Sequence, residues 1–465
     1  MNRFVLFYVF CCLLTVGAKA QSVAERLENL VHSSVLLKTS EAGIAVFDLT
    51  EGQYLYRYQS GKLSRPASTQ KIITSVSALA RLGTAYTFDT KLAYTGTVKN
   101  DTLNGDLYLV GGFDPLFMEE DMDSLVKAVS EAGIRAVRGR LMADVSFTDS
   151  VFWGPGWAWD DAPSSFQPYL SPLMLNRGCV KVTVSPAHPG EHPSVKVTPK
   201  SPSYHVENRA VSADSRAGNL KITRDWMHNK NTIVVTGNCV STVSEELSLV
   251  SSEDFFVQTF YSRLKEQGVV VQSVAYSLCP EEASQLYVLH RPMETVLKQT
   301  LKESDNLCAE ALFHHLGFRE TGASRAGFDE GKKAVRRFMQ EEVGMLPSNF
   351  RIVDGSGLSP YNFVSPELLL AYLKYAYYHG EIFRPLYDAL PIAGVDGSLR
   401  NRMKKGEAFR NVRAKTGAIT GISTLAGYVK AANGHMLAFS IMNQNVLKLS
   451  EARSFQDKVC EILAN

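Results

Sequence analysis

The spacing of hydrophobic residues changes twice along this chain. Between residues 23 and 83 a helical start leads into GIAVFDLTEGQYLYRYQSG, where two alternating runs flank a turn at Thr50-Glu51-Gly52 and predict a hairpin. The next stretch, RPASTQKIITSVSALARLG, has its apolar residues at the spacing of an amphipathic helix. From about 85 to 279, short runs such as KLAYTGTV, DLYLVGG and TIVVTG predict a region made mostly of strands.

Helical spacing returns near Val288, in TVLKQTLKESDNLCAEALFHHLG and SPELLLAYLKYAYYHG. The chain closes with two strands around an Asn433-Gly434 turn and a final helix near Ser454 to Leu463. Because both ends mix helices with strands and the middle does not, the pattern predicts an α+β domain interrupted by a long, largely β insertion.

The N-terminal segment has the composition of a secretory signal. Arg3 precedes an apolar run of 13 residues, Phe4 to Val16, and Ala18-Lys19-Ala20 matches an A-x-A cleavage pattern. Cys11 and Cys12 lie inside the apolar run, which disfavours the alternative of lipid attachment. The run is also shorter than the ~20 residues of a membrane span. We therefore predict a signal peptide over residues 1–20 and export of the mature chain, with no transmembrane segment.

Composition limits the classes of partner but does not determine which cysteines form disulfides. Lys plus Arg (49) nearly balances Asp plus Glu (47), so nothing favours nucleic acid or a strongly anionic membrane as a partner. Outside the signal segment there are five cysteines, an odd number that leaves at least one free thiol. Cys179 and Cys239 both end short strand-like runs and are the first candidates for a disulfide.

Ser68 and Lys71 have the spacing of a nucleophile and its base. A serine hydroxyl needs a group that takes its proton, and a residue three positions along a helix lies on the same face. Lys71 can serve as that base if burial or a neighbouring cation lowers its pKa. The alternative is that Ser68 caps the helix and Lys71 is solvated.

Two later motifs complete an ordered set. Ser304-Asp305-Asn306 lies in KESDNLCAE and Lys415-Thr416-Gly417 in RAKTGAITG, just before the last strand pair. Ser304 can relay a proton to a leaving amine and Asn306 can bind a substrate amide. Lys415 and Thr416 can hold a terminal carboxylate, and Gly417 lets a substrate backbone approach the strand edge.

The order S-x-x-K, S-x-N, K-T-G resembles that of penicillin-binding proteins and class A β-lactamases. More than 230 residues separate the first two motifs, which resembles the class C low-molecular-mass penicillin-binding proteins, the D-alanyl-D-alanine carboxypeptidase/endopeptidase family (peptidase S13). The resemblance implies a penicillin-binding-protein/β-lactamase-like transpeptidase domain, with an antiparallel sheet flanked by helices, interrupted by two smaller domains. The expected boundaries are 21–84 plus 281–465 for the catalytic domain, 85–105 plus 165–280 for the first inserted domain, and 106–164 for the nested second one.

The resemblance also implies a mechanism and a substrate. Ser68 attacks the carbonyl of the penultimate D-alanine in a peptidoglycan stem peptide or crosslink, and Lys71 takes its proton. The oxyanion lies between the backbone N–H groups of Ser68 and Ala418. D-alanine leaves with a proton delivered through Ser304, and β-lactams act as inhibitors that acylate Ser68. No cofactor or metal is expected, and the location is the periplasm, free or loosely associated with the membrane or wall.

The residues that contact the rest of the substrate are less defined. The resemblance implies that Asp161 and Phe166 contact the amine-bearing side chain of the diamino acid, and that Ser356, in VDGSGLSP, borders the site with Thr416 and Gly417. Trp157 and Trp159 are interpreted as packing residues. Several relatives have an arginine where this chain has Pro360, which leaves the partner of the stem-peptide carboxylate unassigned.

Two other functions compete with the peptidase. A β-lactamase needs a base for rapid deacylation, and Glu367 in SPELLLAY is the nearest candidate, although the asparagine expected four residues on is missing. A binding or sensing protein that docks muropeptides or β-lactams without turnover is the second alternative.

Overall fold

The computed structural model describes residues 21–214 and 219–465. The predicted signal segment, residues 1–20, lies outside the described residues, so export stays a prediction. Within the described ranges, none of the helices combines the length and the apolar character needed to cross a membrane.

The elements follow one another in three groups. The first group is α1 (Val23–Ser33), β1 (Glu41–Asp48), β2 (Gln53–Tyr58) and α2 (Gln70–Leu82). The insertion contains β3 (Thr87–Tyr94), β4 (Thr97–Lys99), β5 (Thr102–Asn104), β6 (Leu107–Val110), α3 (Glu119–Glu131), β7 (Ala136–Val137), β8 (Leu141–Asp144), β9 (Cys179–Ser185), β10 (Ser194–Thr198), β11 (His205–Asn208), β12 (Val211–Ser212), β13 (Lys221–Arg224), β14 (Thr232–Thr236), β15 (Asn238–Cys239), β16 (Val243–Ser248), α4 (Ser252–Glu266), β17 (Val270–Val271), β18 (Val274–Tyr276) and β19 (Ser284–Pro292). The last group is α5 (Met293–Lys302), α6 (Asn306–Thr321), α7 (Phe328–Glu341), α8 (Pro366–Tyr378), α9 (Gly380–Ala389), β20 (Arg413–Ile419), β21 (Ile422–Lys430), β22 (Met436–Gln444) and α10 (Leu449–Ala464).

The first and last groups share one antiparallel sheet, in the order β2-β1-β22-β21-β20. Side chains alternate between its two faces, as the period of a strand requires. On β1, Ile44 and Val46 pack against α1 and α10, whereas Ala45 and Phe47 pack against α2 and the helices that follow β19. The predicted hairpin of β1 and β2 and the predicted closing strand pair are confirmed. The sheet ends at β20. Residues 391–393 bond to the chain at residues 412–414, at the start of this strand, and the rest of its outer edge is open.

Strand pairing divides the insertion differently from the predicted boundaries. One five-stranded sheet has the order β18-β8-β6-β3-β19, so β6 and β8, inside the predicted nested segment 106–164, pair with strands outside it. The strands between 179 and 248 pair among themselves in three small sheets. The pairing therefore groups the flanks of the insertion together and favours 179–248 as its inner unit, although the boundaries themselves stay a prediction.

The predicted disulfide between Cys179 and Cys239 is wrong. All five cysteines outside the signal segment are free thiols. Cys179 begins β9 and Cys239 ends β15, which belong to different sheets, and each thiol donates to a carbonyl close by in the chain at 3.4 Å. Burial raises the pKa of Cys179 to about 12, so this thiol stays protonated.

Candidate active site

The three motifs meet where α2, the α5–α6 junction and the open edge of the sheet come together. Ser68 lies in a 3-10 turn, Ala67–Thr69, directly before α2. Ser304 lies between α5 and α6, and Lys415 is on β20. The capping alternative for Ser68 is wrong, because the N-cap position of α2 is Thr69 and no side chain caps it.

Lys71 is fully buried and its Nζ contacts three oxygens. These are Ser68 Oγ at 2.8 Å, Asn306 Oδ1 at 2.6 Å and the carbonyl oxygen of Ser356 at 3.0 Å. The amide and carbonyl oxygens can only accept hydrogen bonds. A neutral Lys71 therefore donates its two protons to them and turns its lone pair toward the Ser68 hydroxyl, which is the geometry of a general base.

Burial gives Lys71 a basicity suited to that role. Removal from water lowers the pKa of the Lys71 ammonium to about 8, against the opposing effect of the carboxylates of Asp305, Glu310 and Asp354. A base with a pKa near the working pH combines a useful neutral fraction with enough proton affinity. The alternative of a solvated lysine is wrong.

The second lysine is bonded to the second motif. Lys415 is fully buried, and its Nζ donates to Ser304 Oγ at 2.7 Å and to the Thr416 carbonyl at 2.8 Å. Burial, and then the charge of Lys71, hold the pKa of Lys415 well below its usual value. The Thr416 hydroxyl donates to Ser398 Oγ at 2.7 Å. One side of the site is thus lined by polar groups, from Lys415 and Thr416 on β20 and from Ser304, which is bonded to Lys415.

Close backbone packing sets the Ser68 turn against its neighbours. Ala67 has a left-handed φ of +46°, and a Cβ on Gly357 would lie 1.9 Å from the Ala67 carbonyl oxygen. A Cβ on Gly417 would lie 2.9 Å from the Ser68 nitrogen, so β20 passes directly beside the start of the turn. Ala418 follows on the same open edge and is exposed. The backbone N–H groups of Ser68 and Ala418 stay the predicted oxyanion donors.

A buried pair of acids supports the turn that supplies the Ser356 carbonyl. Glu310 on α6 accepts from the N–H groups of Gly355 at 2.9 Å and Ser356 at 2.8 Å. Asp354 accepts from the backbone N–H of Gly357 and Ser359 and from the side chains of Trp157 and Asn362, at 2.7–3.0 Å. Burial, with the Asp354 charge, raises the pKa of Glu310 above its usual value. Because both acids are fully bonded, they act as structural supports for this turn.

Comparison with known proteins agrees with this arrangement. The sequence profile of the D-Ala-D-Ala carboxypeptidase 3 (S13) family matches residues 23–465. The chain belongs to this family. It is 31% identical to the D-alanyl-D-alanine carboxypeptidase of Actinomadura sp. (strain R39), over 92% of this chain and 82% of the relative. It is 28% identical to the D-alanyl-D-alanine carboxypeptidase DacB of Haemophilus influenzae, over 86% and 84%.

A solved structure shares the fold. The crystal structure of penicillin binding protein 4 (dacB) from Haemophilus influenzae matches with a TM-score of 0.84 at 26% identity, covering 94% of this chain and 99% of that chain. The family and the α+β fold predicted from the three motifs are thus confirmed.

In this S13 family member, the predicted substrate-binding residues differ in how exposed they are. Phe166 is 44% exposed, and its carbonyl accepts from Asn306 Nδ2 at 2.9 Å. Asp161 lies in the same segment, half-buried, where burial and then Asp160 raise the pKa of its carboxyl. Ser356 is fully buried and its hydroxyl accepts from Leu358 N–H at 3.2 Å. Its carbonyl contacts Lys71 directly, and the role of Ser356 in substrate binding stays a prediction.

An arginine from another segment lies beside Pro360, the position at which several relatives have an arginine. The exposed Arg65, three residues before Ser68, donates from Nε to the carbonyl of Pro360 at 3.0 Å. Its guanidinium carbon also lies 5.6 Å from the ring centre of Phe363. A guanidinium therefore stands beside residue 360, although it comes from another segment of the chain.

A second arginine crosses from the insertion to the catalytic domain. Arg177 Nη2 lies 2.6 Å from Asp305 Oδ2, and the Asp305 side chain is 1% exposed. The other oxygen of Asp305 accepts from the Cys308 N–H at 3.0 Å and caps α6. Ser304 has a left-handed φ of +62°, so its turn needs this support from both sides.

Glu367, the candidate base of a β-lactamase, lies elsewhere. Its carboxylate accepts from Tyr54 Oη at 3.3 Å and lies 3.7 Å from Arg57, both on β2. Strand β2 is at the opposite edge of the sheet from β20, which carries Lys415. The β-lactamase alternative therefore loses its candidate base.

Sequence reasoning missed Glu310, Arg177 and Ser398. Glu310 had a usable signal, since an acid within the apolar run LCAEALF indicates a buried, bonded carboxylate. Arg177 lies in the run NRGC, in which only Cys179 was a candidate, as one end of a disulfide. Ser398 has no local signal, because it meets Thr416 only after the chain has folded.

Proposed function

We propose that this chain is an exported serine DD-carboxypeptidase and DD-endopeptidase that cleaves after D-alanine in peptidoglycan stem peptides and crosslinks. The observation that carries the proposal is the 2.8 Å contact between Ser68 Oγ and the buried Lys71 Nζ, in a site that also brings together Asn306 and Lys415. Membership of the S13 family supports the substrate.

Acylation begins with proton transfer from the Ser68 hydroxyl to neutral Lys71. The Ser68 oxygen attacks the carbonyl carbon of the penultimate D-alanine, and the Ser68 and Ala418 N–H groups stabilise the oxyanion. The C–N bond breaks, and the proton that Lys71 took from Ser68 passes through Ser304, which Lys415 holds at 2.7 Å, to the leaving amine. Lys71 is then neutral again. The leaving group is D-alanine in the carboxypeptidase reaction and the crosslinked amine of a second stem peptide in the endopeptidase reaction.

Deacylation returns the enzyme to its starting state. Neutral Lys71 takes a proton from a water molecule as the water oxygen bonds to the ester carbonyl carbon. The bond to Ser68 Oγ then breaks, and Ser68 regains a proton from Lys71, which is neutral again. β-Lactams acylate the same oxygen by ring opening, and no amine departs to make room for water. They are therefore slow substrates that act as inhibitors.

The open edge of the sheet orients the substrate. An extended peptide can add to β20 as a further strand, and the absence of a side chain on Gly417 lets this strand lie directly against the Ser68 turn. Lys415 and Thr416 then receive the terminal carboxylate, and the second proton of Asn306 Nδ2 binds a substrate amide carbonyl.

Three assays separate this function from its alternatives. Purified protein is incubated with a pentapeptide muropeptide and with a crosslinked dimer, and D-alanine and monomer are quantified by chromatography. Both products are expected from the wild type and neither from Ser68→Ala. A fluorescent penicillin should label the wild type only. Labelling without either product would support a sensor, rapid hydrolysis of a chromogenic cephalosporin would support a β-lactamase, and labelling of Ser68→Ala would refute the nucleophile.

The location is a separate part of the proposal. We expect the full chain to be recovered from the periplasm, in soluble form or loosely bound to the membrane or wall, and a chain starting at Gln21 to stay in the cytoplasm. Cell fractionation measures both. Equal distribution of the two chains would contradict the signal peptide.

A further inference from the structure

Two tryptophans from separate parts of the insertion, the exposed Trp159 and the half-buried Trp226, contact each other in a tilted arrangement. Their ring centres, those of Trp159 and Trp226, lie 4.8 Å apart with 49° between the ring planes. Trp159 is 64% exposed and the neighbouring Met227 is 69% exposed. The interpretation of Trp159 as a packing residue is therefore wrong, whereas Trp157 is buried. Large exposed aromatic surface grouped in this way marks a binding site more often than a chance exposure.

The surroundings of this tryptophan pair are polar. Asp160 is exposed beside Trp159, and the His228 side chain, 70% exposed, shares a hydrogen bond of 2.7 Å with Asp225. Asn229 accepts from the Tyr169 hydroxyl at 3.3 Å and is exposed as well. Exposed carboxylate, imidazole and amide side chains thus lie one to three residues along the chain from the two tryptophans. This combination suits a ligand that is apolar on one face and rich in hydroxyl and amide groups at its edge.

A short bonded path connects the pair to the active site. Asn306 donates to the Phe166 carbonyl at 2.9 Å, and the next residue, Gln167, donates to the Ala158 carbonyl at 2.6 Å. Ala158 directly precedes Trp159. Covalent and hydrogen-bond lengths along this path limit the separation between Asn306 and Trp159 to roughly 20 Å.

The sugar of the substrate can lie within that limit. Four residues of a stem peptide lie between the scissile bond and the sugar, and their extended length is roughly 14 Å. The sugars have an apolar C–H face, slightly positive, which packs on the negative face of an indole. Their hydroxyl and acetamido groups point outward from the ring edge.

We propose that the tryptophan pair binds the glycan strand of peptidoglycan while the stem peptide occupies the Ser68 site. This inference rests on the proposed function and extends it to the sugar. The indole faces receive the C–H face of a sugar ring, and Asp160, His228 and Asn229 bind its polar groups. The insertion thereby selects stem peptides that are still attached to glycan.

The kinetic test compares two forms of one substrate. Crosslinked dimers are used with their disaccharides and after an amidase has removed the sugars, and kcat and KM are measured for each. In the wild type the sugar should lower KM about tenfold, a typical gain for one stacked ring. In the double variant Trp159→Ala/Trp226→Ala this difference should disappear, with kcat and the sugar-free KM unchanged. Leu278→Ala, a control that removes a side chain of 67% exposure elsewhere on the insertion, should behave as the wild type.

The outcomes separate this inference from the proposed function. Equal KM values for the two substrate forms in the wild type, or a sugar effect that survives in the double variant, would overturn the glycan site while leaving the peptidase intact. A wild type that cleaves neither form contradicts the proposed function instead.

Binding is then measured without catalysis. Peptide-free glycan strands are titrated into Ser68→Ala and the tryptophan fluorescence is followed, since two of the four tryptophans of the chain form the pair. A saturable change that is lost in the triple variant with both alanines supports the site, and its absence in Ser68→Ala overturns it.

Discussion

Gly357→Ala tests whether the turn that carries Ser68 is held by close backbone packing. Gly357 has a φ of +79°, and an added Cβ would lie 1.9 Å from the Ala67 carbonyl oxygen. Ordinary contact begins at 3.4 Å, so the two segments must separate by about 1.5 Å. A misplacement of ~1 Å at a reacting group costs roughly 100-fold in rate. We therefore expect the rate of acylation by a fluorescent penicillin to fall at least ~100-fold.

The same substitution should lower stability without unfolding the protein. A left-handed alanine costs ~1–2 kcal/mol and overpacking ~1–3 kcal/mol, which together remain below a typical free energy of unfolding of ~5–15 kcal/mol. Circular dichroism should thus show a folded protein with a reduced melting temperature. Acylation within about threefold of the wild-type rate would refute the packing argument.

Gly434→Ala is the matched control. Gly434 has a similar φ of +87°, but an added Cβ would have no atom within 4 Å. The residue lies in the turn between β21 and β22, away from Ser68. We expect a loss of ~1 kcal/mol in the free energy of unfolding and an unchanged acylation rate.

Three further substitutions test the charges around the site. The value of kcat/KM should rise with pH through about 8, because Lys71 must be neutral to act as the base. In Asp305→Asn this rise should move to lower pH, since the Asp305 charge raises the pKa of Lys71. A flat or falling pH profile would contradict the assignment of Lys71 as the base. Arg177→Met should lower the free energy of unfolding by ~3 kcal/mol and slow acylation, because it leaves the buried Asp305 unpaired; unchanged urea unfolding would contradict this. Arg65→Gln should raise KM several-fold for stem peptides with a free side-chain carboxylate and not for amidated ones, and an equal change for both would exclude Arg65 as the carboxylate partner.

Local sequence patterns were sufficient to predict the features that are formed by residues close together in the chain. The spacing of Ser68 and Lys71 brings their side chains to one face of a helical segment, and the structure joins them at 2.8 Å. The hairpin of β1 and β2 follows from alternation and a turn sequence in the same way. Both features depend on contacts within short segments, between residues at most 14 positions apart.

Local sequence patterns did not predict contacts between segments that are distant in the chain. The predicted boundary near residue 105 separates β3 from β6 in the chain, whereas the structure pairs these two strands in one sheet. The Cys179–Cys239 pairing was drawn from two similar strand ends, although the strands belong to different sheets. Neither hydrogen-bond partners nor sheet membership is encoded in a single short run.

The sequence by itself determined the inventory of the site: a serine and lysine one helical turn apart, the Ser304 and Lys415 motifs, and a long insertion between the first two. Only the tertiary structure decided what these residues can do. It buries Lys71 among oxygens from Asn306 and Ser356, which are far apart in the chain, and sets remote carboxylates around it. Proton affinity depends on solvation and on the summed charge of all neighbours in space, so the same Ser-x-x-Lys on an exposed helix would be a capping serine and a solvated cation.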